Sequence, residues 1–321
     1  MRHNYFALLL AVMPLLLGAA QAQSAYPNRP VHIIVGFGPG AAADITARVI
    51  ANRLSETMGQ RFLVENRPGG GSTVAAEQVV RGAKDGYTIY LGTVANVING
   101  VLQPNLSFDF SKDFTPVTLA TSSPLVLVVH PSTGISSVQD LIKLTKSKPG
   151  EVFFGSSGVG TAPHLSGELF NMSAAIKMVH VPYQGSAQAV TDLLAGRTQV
   201  MFAPISTVLA HIKSGQLKAL ATTELKRSSE LPELPTVSES GVKNFNTSLW
   251  LGFVAPSGTP NDAVQKLSDG INRALKHPET AEALRKTGLE IDGGSPDDFR
   301  KFIATETKKW EAVVVAAGLR K

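Results

Sequence analysis

Val31-His-Ile-Ile-Val-Gly-Phe-Gly-Pro-Gly-Ala-Ala-Ala-Asp-Ile-Thr-Ala-Arg-Val-Ile50 passes through three kinds of local sequence. The apolar, β-branched run at its start predicts a buried strand over 31–35. Gly36, Gly38 and Gly40 then predict a tight connection. Ile45, Val49, Ile50 and Leu54 recur at helical spacing and predict a helix over 44–58. Strand, glycine turn and helix in that order open an α/β unit. Such a turn collects backbone N–H groups at the positive end of a helix dipole, which makes it an anion site. Gly40 is assigned there to a close approach of the backbone, so a branched side chain at this position is expected to block binding.

The same alternation continues outward from this segment. Strands are predicted over 61–65, 87–92, 125–130, 152–155, 177–181, 199–202, 217–222 and 249–255, and helices over 73–81, 138–146, 162–172, 187–194 and 205–213. A last helix is read from the apolar stripe Phe299, Phe302, Ile303, Trp310, Val313, Val314 and Ala317, closed by Gly318. The pattern predicts an α/β fold with mainly parallel sheets flanked by helices. Composition shifts at 116–124 and at the proline-rich 231–235 suggest two lobes. One is built from 26–122 plus 246–321 and the other from 123–245, joined by two hinge strands. A single continuous sheet is the rival organisation.

Composition narrows the function. With 321 residues, 43% of them hydrophobic, the chain can bury a large core. It has no cysteine, which excludes a disulfide scaffold, thiolate metal sites and a cysteine nucleophile. Its seven histidines include no HExxH and no pair four residues apart, so no metal or other cofactor is expected. The net charge of +5 is scattered, with no block of like charges, so no nucleic-acid partner is expected. The first 25 residues begin with Arg2 and His3, run through an apolar stretch over 6–17 and end in small and polar residues. That is the pattern of a secretory signal peptide, cleaved after Ala22 or Ala25, and it predicts a periplasmic mature protein. The apolar stretch is too short to span a membrane.

Four segments stand at the C-terminal ends of predicted strands, where open α/β sheets bind their ligands. They are the glycine turn over 36–44, the end of the third strand from Thr93 to Asn96, the serine turn Gly155-Ser-Ser-Gly-Val-Gly-Thr161, and Val181-Pro-Tyr-Gln-Gly-Ser-Ala187. Two enzyme readings compete with simple binding. Gly36, Gly38 and Ala41 fit G-x-G-x-x-[GA], with Glu65 where a ribose-binding acid would stand. Export to a compartment poor in NAD and the missing amide donor of Pro39 oppose a nicotinamide oxidoreductase. Ser157 with His164 or His180 would suit a serine hydrolase, but Val159 breaks the nucleophile-elbow motif. Asp44 is read as a residue that caps or orients its loop.

These segments resemble the periplasmic substrate-binding proteins of tripartite tricarboxylate transporters, the TctC or Bug family. The resemblance runs through YPNRPVHIIVGFGPGAAADITAR, VENRPGGGSTVAAEQVV, DGYTIYLGT, FSKDFTPVTL, FGSSGVGTAPHLSGELF, VHVPYQGSAQAVTDLLAGRTQVMF, LPELPTVSESG, APSGTP and the E-x-x-K-W-x-x-V of 306–313. It implies a two-lobed Venus-flytrap fold that captures a small organic mono- or dicarboxylate, which could be aromatic, between the lobes. It implies delivery to membrane subunits by a monomeric, non-catalytic protein. It also implies that amides, hydroxyls and ordered water hold the ligand more than an arginine clamp does. Carried over by position, the ligand-binding residues are Phe37, Gly38, Gly40, Ala41, Asp44, Thr93, Asn96, Ser156, Ser157, Gly158, Gly160, Thr161, Tyr183, Gly185 and Ala203. The chain departs from the family pattern at Gly38, at the three alanines 41–43, at Asn96 and at Ala203. Those departures favour a larger or more apolar ligand body over a small hydroxylated tricarboxylate. Docking onto a sensor protein is a further role that the resemblance leaves open.

Overall fold

The computed structural model describes residues 26–103, 105–183 and 185–319. The signal peptide expected over 1–25 lies outside them. The elements run β1 (Val31–Val35), α1 (Ala42–Thr57), β2 (Phe62–Asn66), α2 (Thr73–Val80), β3 (Thr88–Thr93), α3 (Val94–Leu102) and β4 (Phe114–Val129). There follow α4 (Val138–Ser147), β5 (Phe153–Ser156), α5 (Ala162–Ala174), β6 (Val179–Pro182), α6 (Ser186–Leu194), β7 (Val200–Pro204), α7 (Ile205–Lys213) and β8 (Lys218–Thr222). The chain closes with β9 (Ser248–Pro256), α8 (Asn261–Lys276), α9 (Pro278–Arg285), β10 (Glu290–Ile291) and α10 (Pro296–Ala316).

The strands follow the order β2-β1-β3-β9-β4-β7-β5-β6, with β8 and β10 added to β4 off that path. β1 lies parallel to β2 and β3, and β5 lies parallel to β6 and β7. β4 and β9 are antiparallel to their neighbours. The 116–124 stretch, read as a lobe boundary ahead of a strand at 125–130, lies inside β4, which begins at Phe114. Proline has no N–H for the ladder and survives in strands at irregularities. Pro116 accordingly stands at a register shift, and Pro124 is the last residue paired with β9 before Leu125 takes up β7.

Three apolar layers cover this sheet. On one face of the β1 region, Ile50 and Leu54 of α1 meet Leu267 and Ile271 of α8 and Leu284 of α9. On the far side of the β7 region, Val190 and Leu193 of α6 and Val208 of α7 cover Val126, Val128 and Met201. The largest cluster joins both regions. It carries Trp250, Phe299 and Trp310 on one side and Phe154, Phe170, Phe202 and Phe245 on the other. A fully buried aromatic side chain removes about 150–250 Å² from water, worth on the order of 5 kcal/mol at about 25 cal/mol per Å². The E-x-x-K-W pattern has a physical role here. Glu306 is buried, and its Oε2 accepts a hydrogen bond from the indole of Trp250 and another from that of Trp310, both 3.0 Å long.

The topology has one consequence for function. β1 and β3 in one region, and β5, β6 and β7 in the other, each lead directly toward a helix: α1, α3, α5, α6 and α7.

Candidate functional site

These five helices begin around one cavity of ≈ 410 Å³. Its wall includes Ala42 and Ala43 of α1, Val94 and Ala95 of α3, Ala162 and Pro163 of α5, Ser186 of α6 and Ser206 of α7. The opening turns of α1, α5, α6 and α7 carry no side-chain cap. Each helix start holds a partial positive charge of about half a unit. Among the described residues, no charged side chain lines the cavity. Phe37, Val159, Leu249, Trp250, Leu251 and Leu289 supply much of the remaining wall.

Beneath the glycine turn lies a compact polar network. Asp44 is buried in the first turn of α1, and its Oδ2 accepts the Gly40 amide at 2.9 Å. Its Oδ1 accepts from Arg48 Nε at 2.9 Å and from Asn66 Nδ2 at 2.8 Å. Asn66 also donates to the Phe37 carbonyl at 2.9 Å. Burial opposes ionisation of Asp44, but the hydrogen bonds from Arg48, Gly40 and Asn66 outweigh it and hold its pKa below the ordinary carboxylate value. Phe37 and Ala41 therefore reach the cavity from a braced loop, while Gly38, Gly40 and Asp44 lie off its wall. A Cβ at Gly40 would meet no protein atom within 4 Å, and the φ of +81° at this position is one that glycine adopts without steric cost.

Thr93 ends β3, as expected, and is the N-cap of α3, whose first turn contains Val94, Ala95 and Asn96. Thr93 Oγ1 accepts the Ala95 amide at 3.1 Å, and Asn96 Oδ1 accepts the Thr93 amide at 2.9 Å, a reciprocal cap. Asn96 also accepts from the buried Tyr90 hydroxyl at 3.0 Å. Thr93 lines the cavity, whereas Asn96 stands behind it.

The serine turn places Ser157, Gly160 and Thr161 on the wall. Ser156 lies beneath, where its Oγ meets His180 Nε2 at 2.6 Å and donates to the Gly158 carbonyl at 3.1 Å. The Gly160 amide donates to His164 Nδ1 at 3.1 Å, and the two imidazoles stack with centroids 3.8 Å apart. The His–Ser contact thus involves Ser156 rather than Ser157, and it braces a loop. Tyr183 donates to Asp192 Oδ2 at 2.9 Å and does not line the cavity. Gly185 precedes α6, whose Ser186 is the lining residue, and Ala203 is buried in the strand next to Pro204. Glu65 is engaged by His32 and Arg67.

Lining residues missed in the sequence fall into two kinds. Ser186 lies in the segment 181–187 read as a candidate loop but was not picked out as a ligand residue, and Ser206 stands just past β7, where the strand-end rule, applied to every strand, would have found it. Trp250, Leu251, Thr287 and Leu289 come from distant segments with no local motif.

The model of the TctC family, "Tripartite tricarboxylate transporter family receptor", matches residues 46–319. The protein BugT of Bordetella pertussis is 36% identical over 306 residues, covering 95% of this chain and 94% of that protein. A solved structure described as R. palustris Rpa4515 with adipate is 36% identical with a TM-score of 0.78, covering 91% of this chain and 98% of that one. The periplasmic binding protein BugD is 30% identical with a TM-score of 0.76, covering 92% and 100%.

Proposed function

We propose, because this chain belongs to the tripartite tricarboxylate transporter receptor family, that its cavity captures an organic acid with one or two carboxylates on an apolar body. The protein is a periplasmic solute-binding protein and not an enzyme, with a solute and the membrane subunits of such a transporter as partners. The observation that carries the ligand class is the wall itself: five helix starts and no charged side chain among the described residues. Micromolar affinity corresponds to about −8 kcal/mol. A hydrogen bond to a charged group supplies about 1.5–3 kcal/mol and a favourably placed helix terminus up to about 2. One or two carboxylates can be held on those terms. Three carboxylates would crowd like charge into a site without a cation to offset it.

In this reading Phe37, Ala41, Thr93, Ser157, Gly160 and Thr161 touch the ligand. Gly38, Gly40, Asp44, Asn96, Ser156, Gly158, Tyr183, Gly185 and Ala203 shape the loops that present them. The lobes are 26–122 with 246–321, and 123–245, and the ligand favours the closed form because only that form offers it both sets of helix starts.

The test is calorimetry on the mature protein with adipate, phenylacetate and citrate, alongside tryptophan fluorescence. Trp250 lines the cavity and is one of only two tryptophans, so occupancy changes the emission. Adipate or phenylacetate is expected to bind and to raise the melting temperature, with about 2.7 kcal/mol of stabilisation at a hundredfold excess over Kd. Citrate is expected not to bind. Tighter binding of citrate than of both others, or binding of neither, would overturn the proposal.

A further inference from the structure

The imidazole stack beneath the serine turn is built more closely than a core filler requires. His164 is 1% exposed on α5, and its ring lies against His180 from β6, with Phe154 of β5 beside both. Each ring spends a nitrogen on the same loop. His164 Nδ1 accepts the Gly160 amide and His180 Nε2 meets Ser156 Oγ, so the loop is held at both ends. On its other side the loop presses on α3. A Cβ at Gly160 would lie 2.5 Å from Leu102 Cδ1.

We propose that His164 is a positioning residue of the binding site, its neutral Nδ1 fixing the Gly160 amide so that Ser157, Gly160 and Thr161 face the cavity. This rests on the function proposed above. Because Nδ1 accepts a hydrogen bond, the ring proton sits on Nε2, which points toward Glu168 Oε1 at 3.7 Å. The titratable groups facing His164 are therefore His180 across the stack and Glu168 one turn along its own helix. Burial, reinforced by the neighbouring His180, lowers the His164 pKa to about 3, and burial lowers that of His180 to about 4. Both rings are neutral at periplasmic pH. A proton on Nδ1 would remove the acceptor from Gly160 and set a cation against its stacked neighbour.

The experiment compares wild type with His164→Leu and His164→Asn. Asparagine keeps an acceptor near the place of Nδ1 and does not titrate; leucine removes the acceptor. Amide hydrogen exchange of the ligand-free protein at pH 7 is expected to show Gly160 exchanging at least tenfold faster in His164→Leu and within threefold of wild type in His164→Asn. Calorimetry with adipate or phenylacetate, whichever binds wild type more tightly, is expected to show a Kd at least tenfold weaker in the leucine variant and restored in the asparagine variant. In nitrogen-resolved NMR, His164 is expected to stay neutral with its proton on Nε2 down to pH 5. Unchanged Gly160 exchange in both variants, or a proton on Nδ1 at neutral pH, would overturn the inference. If neither acid binds wild type, the proposed function falls, while the exchange and tautomer measurements still decide the role of His164.

Discussion

The turn after β1 and the turn after β5 do the same job by different chemistry. Each leads a parallel strand into a helix that opens on the cavity. The first is held by a buried, ionised Asp44, neutralised by Arg48 and satisfied by Gly40 and Asn66. The second is held by two neutral imidazoles. Neither arrangement leaves a formal charge facing the ligand, so the helix starts set the field of the cavity. The comparison teaches that an anion site without cations still needs loops fixed to a fraction of an ångström, and that two kinds of titratable group can do this while staying electrically silent.

The sharpest break in the comparison is expected at Gly160. Its φ is +77°, and an added Cβ would collide with Leu102 on α3. Gly160→Val therefore combines left-handed strain with a contact that the end of the buried Leu102 side chain must move to relieve. Binding of adipate or phenylacetate is expected to disappear by calorimetry, a loss of more than about 4 kcal/mol. Affinity within tenfold of wild type would show that the two regions need not approach as closely as they do here.

A second prediction uses acid to separate the two turns. The histidines have folded pKa values of about 3 and about 4, below the unfolded value of about 6.5. The unfolded chain then binds more protons between these limits, so stability falls as pH drops through that window. From pH 6.5 to 4.5 the loss is about 2 kcal/mol per ring, or about 4 for both. Asp44 has the same sign but acts in a lower window. Its lowered pKa gives stability that is present above the unfolded value near 4 and is lost only as pH falls through the lower folded value. Urea unfolding should therefore show a shallower slope between pH 6.5 and 4.5 in His164→Asn, and the wild-type slope in that window for Asp44→Asn. Equal slopes in wild type and His164→Asn would place the acid sensitivity elsewhere.

The same contrast explains what the amino-acid sequence disclosed. The alternation of strands and helices was legible because each element buries one face with its own period, and the strand-end rule located all four candidate loops. α3 was not assigned from the sequence, although Val94, Val97, Ile98 and Val101 recur at helical spacing and the reciprocal cap of Thr93 and Asn96 marks its start, because 93–96 were read only as the end of the third strand. The interior of β4 was hidden by Pro116 and Pro124, which read as breakers until the sheet shows the irregularities that tolerate them. α8 carries a clear stripe of Val264, Leu267, Ile271 and Leu275 and could have been read directly. Contributions such as Trp250 and Thr287 depend on chain crossings that no local spacing encodes.

The smallest expected effect tests the glycine turn on its own terms. Gly40 has a φ of +81° and open space where a Cβ would stand, while its amide is committed to Asp44 rather than to the cavity. Gly40→Ala therefore costs only the left-handed penalty of about 1 kcal/mol, partly relieved because alanine also restricts the unfolded chain. Asp44, Arg48 and Asn66 remain to hold the loop, so the Kd for adipate or phenylacetate should rise less than fivefold and the urea midpoint should fall slightly. The corresponding change at Gly160 meets Leu102 and should be far more damaging. If Gly40→Ala abolished binding as completely as a side chain at Gly160, the amide of residue 40 would have to leave Asp44 and reach the ligand, and the first turn would be a moving part rather than a braced one.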